Sequence, residues 1–157
     1  MADLRTTLAG FGDVRTYLQS GNVVFWSDRP PEEAGRECER LIEQRFGFHV
    51  DVVMRTAEEL AEVVRRNPLR AVADNPKRYQ VSFLESEPDS AILDRLAELA
   101  VEPERYELIG RELYAWHPDG VRRSRLSAKL AAGGLGVRAT ARNWTTVTAL
   151  AEMAGAG

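Results

Sequence analysis

The 157 residues suit one ordinary domain or two small ones that share a core. Hydrophobic residues make up 44% and charged residues 29% of the chain, which is typical of a folded protein and excludes a disordered one. No run approaches the roughly 18 apolar residues of a membrane span, so no membrane association is expected. The single cysteine, Cys38, excludes an internal disulfide and favours a cytoplasmic location.

The net charge of −3 is unevenly distributed along the chain. Residues 120–151 contain no acidic residue but six basic ones, which are Arg122, Arg123, Arg125, Lys129, Arg138 and Arg142. A block of like charge in an acidic protein indicates an anionic partner, such as a small-molecule anion or nucleic acid. The alternative is a solvated face that binds nothing, because surface charge alone contributes little.

The first predicted elements are a short helix over residues 2–9 and a β-hairpin from about Val14 to Trp26. Two leucines lie one turn apart in the helix. Two β-prone runs form the hairpin, and Ser20-Gly21-Asn22 between them tolerates the positive φ angles of a tight turn.

The hairpin tip carries more polar side chains than a turn needs. Gln19, Ser20 and Asn22 are therefore candidate ligand-binding residues. The alternative is ordinary turn chemistry, in which Asn22 bonds its own backbone.

A helix, a strand and a second helix complete the first half. Apolar residues recur at helical spacing up to Phe46, and Cys38 lies among them, so it is interpreted as a core residue rather than a nucleophile. Residues 48–55 alternate between apolar and polar side chains, which predicts a strand. Thr56 and Glu59 have the spacing of a capping box and begin the next helix.

The second half, residues 78–157, has the predicted order β-α-β-β-α-β followed by a terminal helix. These elements are predicted over residues 78–84, 89–99, 106–109, 112–116, 123–132, 137–141 and 143–153. The order is that of a ferredoxin-like split βαβ unit. The first half, residues 1–68, has the same order without its first strand, and residues 69–77 link the halves. We therefore predict an α+β protein of two ferredoxin-like halves with a C-terminal helix.

Arg142, Asn143 and Trp144 form the strongest local candidate for a site. If Asn143 caps the last helix, Arg142 lies at the end of the preceding strand. It is then next to the backbone amides that point outward from the start of that helix. A cation, an amide, an indole and a helix N-terminus together suit a phosphate or carboxylate ligand. In the alternative interpretation Asn143 only caps, Trp144 packs in the core and Arg142 pairs with an acid.

Other chemistries are not supported by the spacing of the residues. His49, His117 and Cys38 lack the spacing of metal ligands, so neither a metal nor a cofactor is predicted. Residues 134–139 match the letters of a dinucleotide fingerprint, but they follow a helix and precede a strand, which is the wrong context. Ser124 and the other serines have no neighbouring histidine, so no catalytic residue can be named.

Three segments resemble signatures of one bacterial family. They are Met1-Ala2-Asp3-Leu4-Arg5, Thr16–Phe25 and Arg142–Val147. On these motifs the chain is identified as a member of the uncharacterised family called domain of unknown function 1697, over Met1 to about Glu152. The resemblance implies an α+β fold of two ferredoxin-like halves and implies no activity.

The sequence departs from this family at its beginning and at two single positions. Members usually begin earlier, with a strand and a glycine-rich loop, and that strand is the one missing from the predicted first half. Its absence is expected to leave an unpaired gap in the sheet and any site at that loop incomplete. Thr145 and Arg125 stand where the family tends to have Asn and Lys.

Three functions stay open from the sequence. The first is a domain that binds a small-molecule anion or nucleic acid through its basic C-terminal half. The second is a small-molecule enzyme of unknown reaction with a cleft between the halves. The third is an interaction or assembly protein whose open sheet edge accepts a strand, which predicts a strand-exchanged dimer instead of a monomer.

Overall fold

The computed structural model describes residues 2–17, 21–99, 104–121, 124–131 and 136–156. Its helices and strands, in chain order, are α1 Ala2–Thr7, β1 Gly12–Tyr17, β2 Asn22–Trp26, α2 Pro31–Phe46, α3 Ala57–Arg66, β3 Tyr79–Leu84, α4 Ser90–Leu99, β4 Arg105–Ile109, β5 Glu112–Trp116, α5 Arg125–Ala131, β6 Ala139–Asn143 and α6 Trp144–Ala156. Helices accompany a two-stranded and a four-stranded antiparallel sheet, so the protein is α+β, as predicted.

Backbone contacts divide the chain into two compact units. The first unit comprises Met1–Ala61 with Ala149–Gly157, and the second comprises Glu62–Thr148. The domain boundary at residues 69–77 stays a prediction. In the described part of the chain, no helix combines the length and the apolar character that crossing a membrane requires.

The hairpin predicted in the first unit is confirmed. Strands β1 and β2 pair antiparallel, with Tyr17 opposite Asn22, and the register shifts between Gly12 and Arg15. Gly21 precedes β2 with a φ of 82°, a conformation that glycine adopts without steric strain. Residues 18–20 of the tip lie outside the described residues.

The strand predicted over residues 48–55 is wrong, because these residues form neither a strand nor a helix. A strand needs a neighbouring strand whose backbone groups pair with its own N–H and C=O groups. Alternation of apolar and polar side chains does not supply that neighbouring strand. The Val52 N–H instead donates to the carboxylate of Glu39 on α2, at 3.0 Å. Phe48 is 57% exposed, so the alternation does not bury its apolar side chains uniformly.

Two helix ends in the first unit follow from their local sequences. Gly47 ends α2 in the left-handed conformation, with φ 80°, and its N–H donates to the Glu43 carbonyl at 2.9 Å. At the start of α3, the Thr56 N–H donates to the Glu59 carboxylate at 2.8 Å. The Glu59 N–H donates to the Thr56 hydroxyl at 3.1 Å. The predicted capping box is therefore confirmed.

The sheet of the second unit has the strand order β4-β5-β3-β6, and every neighbouring pair is antiparallel. The element order β3-α4-β4-β5-α5-β6 agrees with the predicted β-α-β-β-α-β sequence. One face of the sheet packs against α4 and α5 through a buried cluster. Its members are Leu84, Leu96, Leu113, Ala115 and Leu126.

The opposite face of the same sheet is also covered. Tyr79 and Tyr114 are 1% and 0% exposed, and the Tyr114 hydroxyl donates to the Val63 carbonyl on α3. The Trp144 ring packs on both tyrosines, with centroid distances of 4.9 and 6.4 Å. The four-stranded sheet thus has a packed core on each side.

Candidate functional site

The hairpin tip contributes one described candidate, Asn22. Its side chain is 5% exposed, and its Nδ2 donates to the Tyr17 carbonyl at 3.0 Å across the end of the hairpin. The bond reaches the opposite strand, five residues earlier, and not the backbone of Asn22 itself; a ligand-binding role of Asn22 stays a prediction. Gln19 and Ser20 lie outside the described residues.

Asn143 and Trp144 both take part in the packing of the second unit. The Asn143 Oδ1 accepts the Thr146 N–H at 3.0 Å and so caps α6. The backbone N–H of Trp144 donates to the Pro76 carbonyl at 3.1 Å, and the Trp144 indole packs on the Tyr79 ring. These contacts explain both residues structurally, and their role in ligand binding stays a prediction.

The neighbouring Arg142 is half-buried on β6, where it pairs with Val81 of β3. Its Nη1 donates to the Ala141 carbonyl at 2.9 Å and to the Thr140 hydroxyl. Burial lowers the pKa of the Arg142 guanidinium from its usual value. These hydrogen bonds engage the guanidinium within its own strand, and a role of Arg142 in ligand binding stays a prediction.

The predicted basic patch is dispersed where it can be described. Arg125 and Lys129 lie exposed on α5, four residues apart and hence on one helical face. Arg138 forms an ion pair of 3.6 Å with Glu85. Arg122 and Arg123 lie outside the described residues.

Three large aromatic residues of the four-stranded sheet are too buried to serve as a stacking surface. Sheets of this kind bind single-stranded nucleic acid by stacking bases on exposed aromatic rings. Tyr79, Tyr114 and Trp116 are only 1%, 0% and 6% exposed. Binding of nucleic acid by stacking on these rings is therefore not supported by the geometry.

A cleft of about 200 Å³ in the first unit was not anticipated from the sequence. Its lining includes Phe11, Trp26, Ser27, Arg29, Glu37 and Leu41. Trp26, the last residue of β2, is 65% exposed. A Cβ at Gly12 would lie 3.4 Å from the indole Cε3, so a glycine opposite Trp26 leaves room for the ring.

One edge of this cleft is charged and hydrogen-bonded. The Arg40 Nε donates to the Glu37 carboxylate at 3.0 Å. This hydrogen bond, with smaller contributions from the charges of Arg40 and Arg29, lowers the pKa of Glu37. The Ser27 hydroxyl accepts the Arg29 N–H at 3.1 Å and shapes the turn that carries the guanidinium. The cleft thus places an anion, a cation and a hydroxyl near an indole.

A second polar cluster lies in the second unit at the open end of the β4-β5 hairpin. His117 is fully buried, and its Nδ1 lies 2.7 Å from the Glu104 Oε2. The Ser124 hydroxyl donates to the same carboxylate oxygen and accepts the Ser127 N–H at 2.9 Å. The His117 Nε2 is buried without a hydrogen-bond partner among the described residues.

The register of the hairpin explains this second cluster and could have predicted part of it. Arg105 pairs with Trp116, so the next position outward brings Glu104 beside His117. The hydroxyl of Ser124 binds the carboxylate and not the imidazole, which is not the arrangement of a serine activated by a histidine base. We interpret the cluster as a bridge between the hairpin and the start of α5.

These observations define a two-unit α+β protein with a small mixed-polarity cleft. The chain belongs to the family described as protein of unknown function DUF1697, whose model matches residues 1–114. The predicted family is therefore confirmed, although the Arg142–Val147 motif lies beyond the matched residues. Among curated proteins, none matches this sequence significantly.

A solved structure supports the fold over the whole chain. The conserved bacterial protein SP0830 from Streptococcus pneumoniae superposes with a TM-score of 0.76, covering 99% of this chain and 88% of that chain. The two sequences are 19% identical, so this similarity shows the fold alone.

Proposed function

We propose that this protein binds a small, flat, polar molecule in the cleft of the first unit, with the Trp26 indole as the stacking surface. The observation that carries the proposal is the 65% exposure of Trp26 within the lining of that cleft. A large aromatic side chain held at the mouth of a concave site is typical of ligand recognition, because ring stacking provides affinity with little loss of conformational freedom.

The size and the charges of the cleft limit the ligand. Its volume of about 200 Å³ lies below the roughly 300–1,000 Å³ of pockets for drug-sized molecules, which favours a ligand of one or two rings. Arg29 offers donors, whereas Asp28 and Glu37 offer acceptors at the same cleft. A nucleobase or an aromatic amino acid has the matching combination of a flat ring and polar edges.

The test is a binding screen with nucleobases, nucleosides and aromatic amino acids, followed by calorimetry on any hit. We expect Trp26→Ala to weaken binding by about tenfold or more, since stacking on one ring contributes about 1–3 kcal/mol. Phe48→Ala is the matched control, because Phe48 is a 57% exposed aromatic residue of the same unit outside the cleft lining. Absence of any hit, or equal affinity of the Trp26 variant, would contradict the proposal.

A second candidate function is the binding of an anion by the basic C-terminal half. The exposed pair of Arg125 and Lys129 on α5 favours it, together with the lack of acidic residues in the surrounding sequence, residues 120–151. Such binding should weaken steeply with salt, as phosphate contacts release counterions.

Retention on immobilised single-stranded nucleic acid and on a phosphate resin tests this second candidate. We expect retention at low salt that the double variant Arg125→Ala, Lys129→Ala loses, whereas Arg95→Ala, which removes an exposed arginine from α4, retains it. Retention on the phosphate resin alone would indicate a small-molecule anion. Absence of retention on both resins would exclude anion binding by this surface.

A further inference from the structure

Three side chains with metal-ligand chemistry meet in the first unit, away from the Trp26 cleft. They are Glu39, His49 and Asp51, and one ligand atom from each lies within 4.8 Å of the other two. The His49 Nε2 lies 2.8 Å from the Asp51 Oδ1. We propose that these three residues bind a divalent transition-metal cation, with zinc as the reference ion.

The carboxylate of Glu39 is held in place by the backbone of the neighbouring segment. Its Oε2 accepts the Val52 N–H at 3.0 Å, across thirteen positions of the sequence. This bond ties α2 to the segment that carries His49 and Asp51. Hydrogen bonds from outside the ligand set orient metal ligands in proteins and contribute to their affinity.

The composition of the cluster selects the class of cation. An imidazole nitrogen with two carboxylate oxygens is a ligand set for zinc and neighbouring transition metals, whereas magnesium and calcium are bound by oxygen ligands. The histidine therefore distinguishes this cluster from an ordinary group of surface acids. Three protein ligands also leave a coordination position for water or another ligand.

The present distances are compatible with coordination after small side-chain rotations. Ligand atoms at about 2.0–2.2 Å from one zinc ion lie a little over 3 Å apart in a tetrahedral site. The observed separations of 2.8 Å to within 4.8 Å bracket that value. The side chains of His49 and Asp51 are 49% and 53% exposed, so they can rotate and the ion can reach them from solvent.

The ordinary alternative is a surface ion pair between His49 and Asp51 that binds no metal. Sequence spacing alone could not separate the two, because Glu39 lies ten positions before His49 and joins it only through the packing of α2. The two interpretations make opposite predictions for metal titration.

The experiment is isothermal titration calorimetry on the full chain after a chelator has removed bound metal. Zinc chloride is titrated into one sample and magnesium chloride into another. We expect one zinc ion to bind per chain. We expect magnesium to bind at least about tenfold more weakly than zinc. His49→Ala and Asp51→Asn should each weaken zinc binding by about tenfold or more. Circular dichroism of each variant shows that it remains folded.

The matched control makes the same glutamate-to-glutamine substitution at two positions of α2 and compares the zinc affinities of the two variants. Glu39→Gln should weaken zinc binding, whereas Glu33→Gln, at an exposed position of the first turn, should leave it unchanged. The proposal is overturned if zinc does not bind with a saturable one-to-one ratio. It is also overturned if the His49 and Glu39 variants bind zinc as tightly as the unaltered protein, or if Glu33→Gln lowers the affinity equally.

Discussion

The Tyr114 hydroxyl donates a hydrogen bond of 2.9 Å to the carbonyl oxygen of Val63. Both residues are 0% exposed, so no water can take the place of either group. The bond joins β5, one of the two inner strands of the four-stranded sheet, to Val63, in the part of helix α3 that belongs to the same unit. On the same face the Tyr79 hydroxyl donates to the Asn67 Oδ1 at 2.8 Å.

We expect Tyr114→Phe to lower the free energy of unfolding by about 0.5–1.5 kcal/mol, because the Val63 carbonyl loses this donor but still accepts the Asn67 N–H. Urea denaturation measures the change. Tyr106→Phe is the control, since Tyr106 is only partly buried and its hydroxyl has no hydrogen-bond partner among the described residues; its effect should stay within about 0.5 kcal/mol. Equal stability of the two variants would show that the Val63 contact contributes nothing.

The same tyrosines predict a loss of stability in alkali. Burial raises the pKa of Tyr114 to about 12, and burial also raises the pKa of Tyr79. An unfolded tyrosine titrates near 10, so between about pH 10 and 12 the unfolded chain releases protons that the folded chain retains. Stability is then complete below about pH 10 and falls as the pH rises, by up to about 1.4 kcal/mol per pH unit for each tyrosine.

Urea denaturation at a series of alkaline pH values checks this window. Tyr114→Phe should show a shallower decline than the unaltered protein, because it removes one of the groups that titrate. If the two slopes are the same, ionisation of Tyr114 does not contribute to alkaline unfolding.

The N-cap of α6 gives a third prediction, which also separates structure from binding at Asn143. Asn143→Ala should lower stability by about 1 kcal/mol, because the Thr146 N–H loses its acceptor. Asn143→Asp should retain most of the stability, since a carboxylate oxygen can accept the same bond. Thermal or urea unfolding of both variants tests this, and an alanine variant as stable as the aspartate variant would contradict the capping role.

Cys38 provides the fourth prediction. The residue is 3% exposed on α2, and burial raises the pKa of its thiol to about 11. Because the thiolate is the nucleophile, we expect the folded protein to react slowly with a thiol reagent at neutral pH and the unfolded protein to react rapidly. Fast stoichiometric labelling of the folded chain would show that the α2 packing opens readily.

Features that depend on neighbours in the chain could be predicted from the sequence. Gly21 adopts the positive φ that its place in the hairpin required, and Thr56 and Glu59 cap α3 as their spacing indicated. The β-α-β-β-α-β order of the second half follows equally from local periodicity. In each case the interacting atoms are separated by a few bonds or one helical turn, so side-chain type and spacing suffice.

Features that depend on distant partners were decided only by tertiary structure. Residues 48–55 have the alternation of a strand but form none, since the Val52 N–H binds Glu39 instead of a neighbouring strand. The cleft beside Trp26 likewise depends on how residues 10–12, residues 26–29 and helix α2 pack together. The alternation and composition of a segment indicate which side chains it can bury and which ligands it can bind. Which groups the segment actually contacts depends on the segments that pack against it, and these are determined by the tertiary structure.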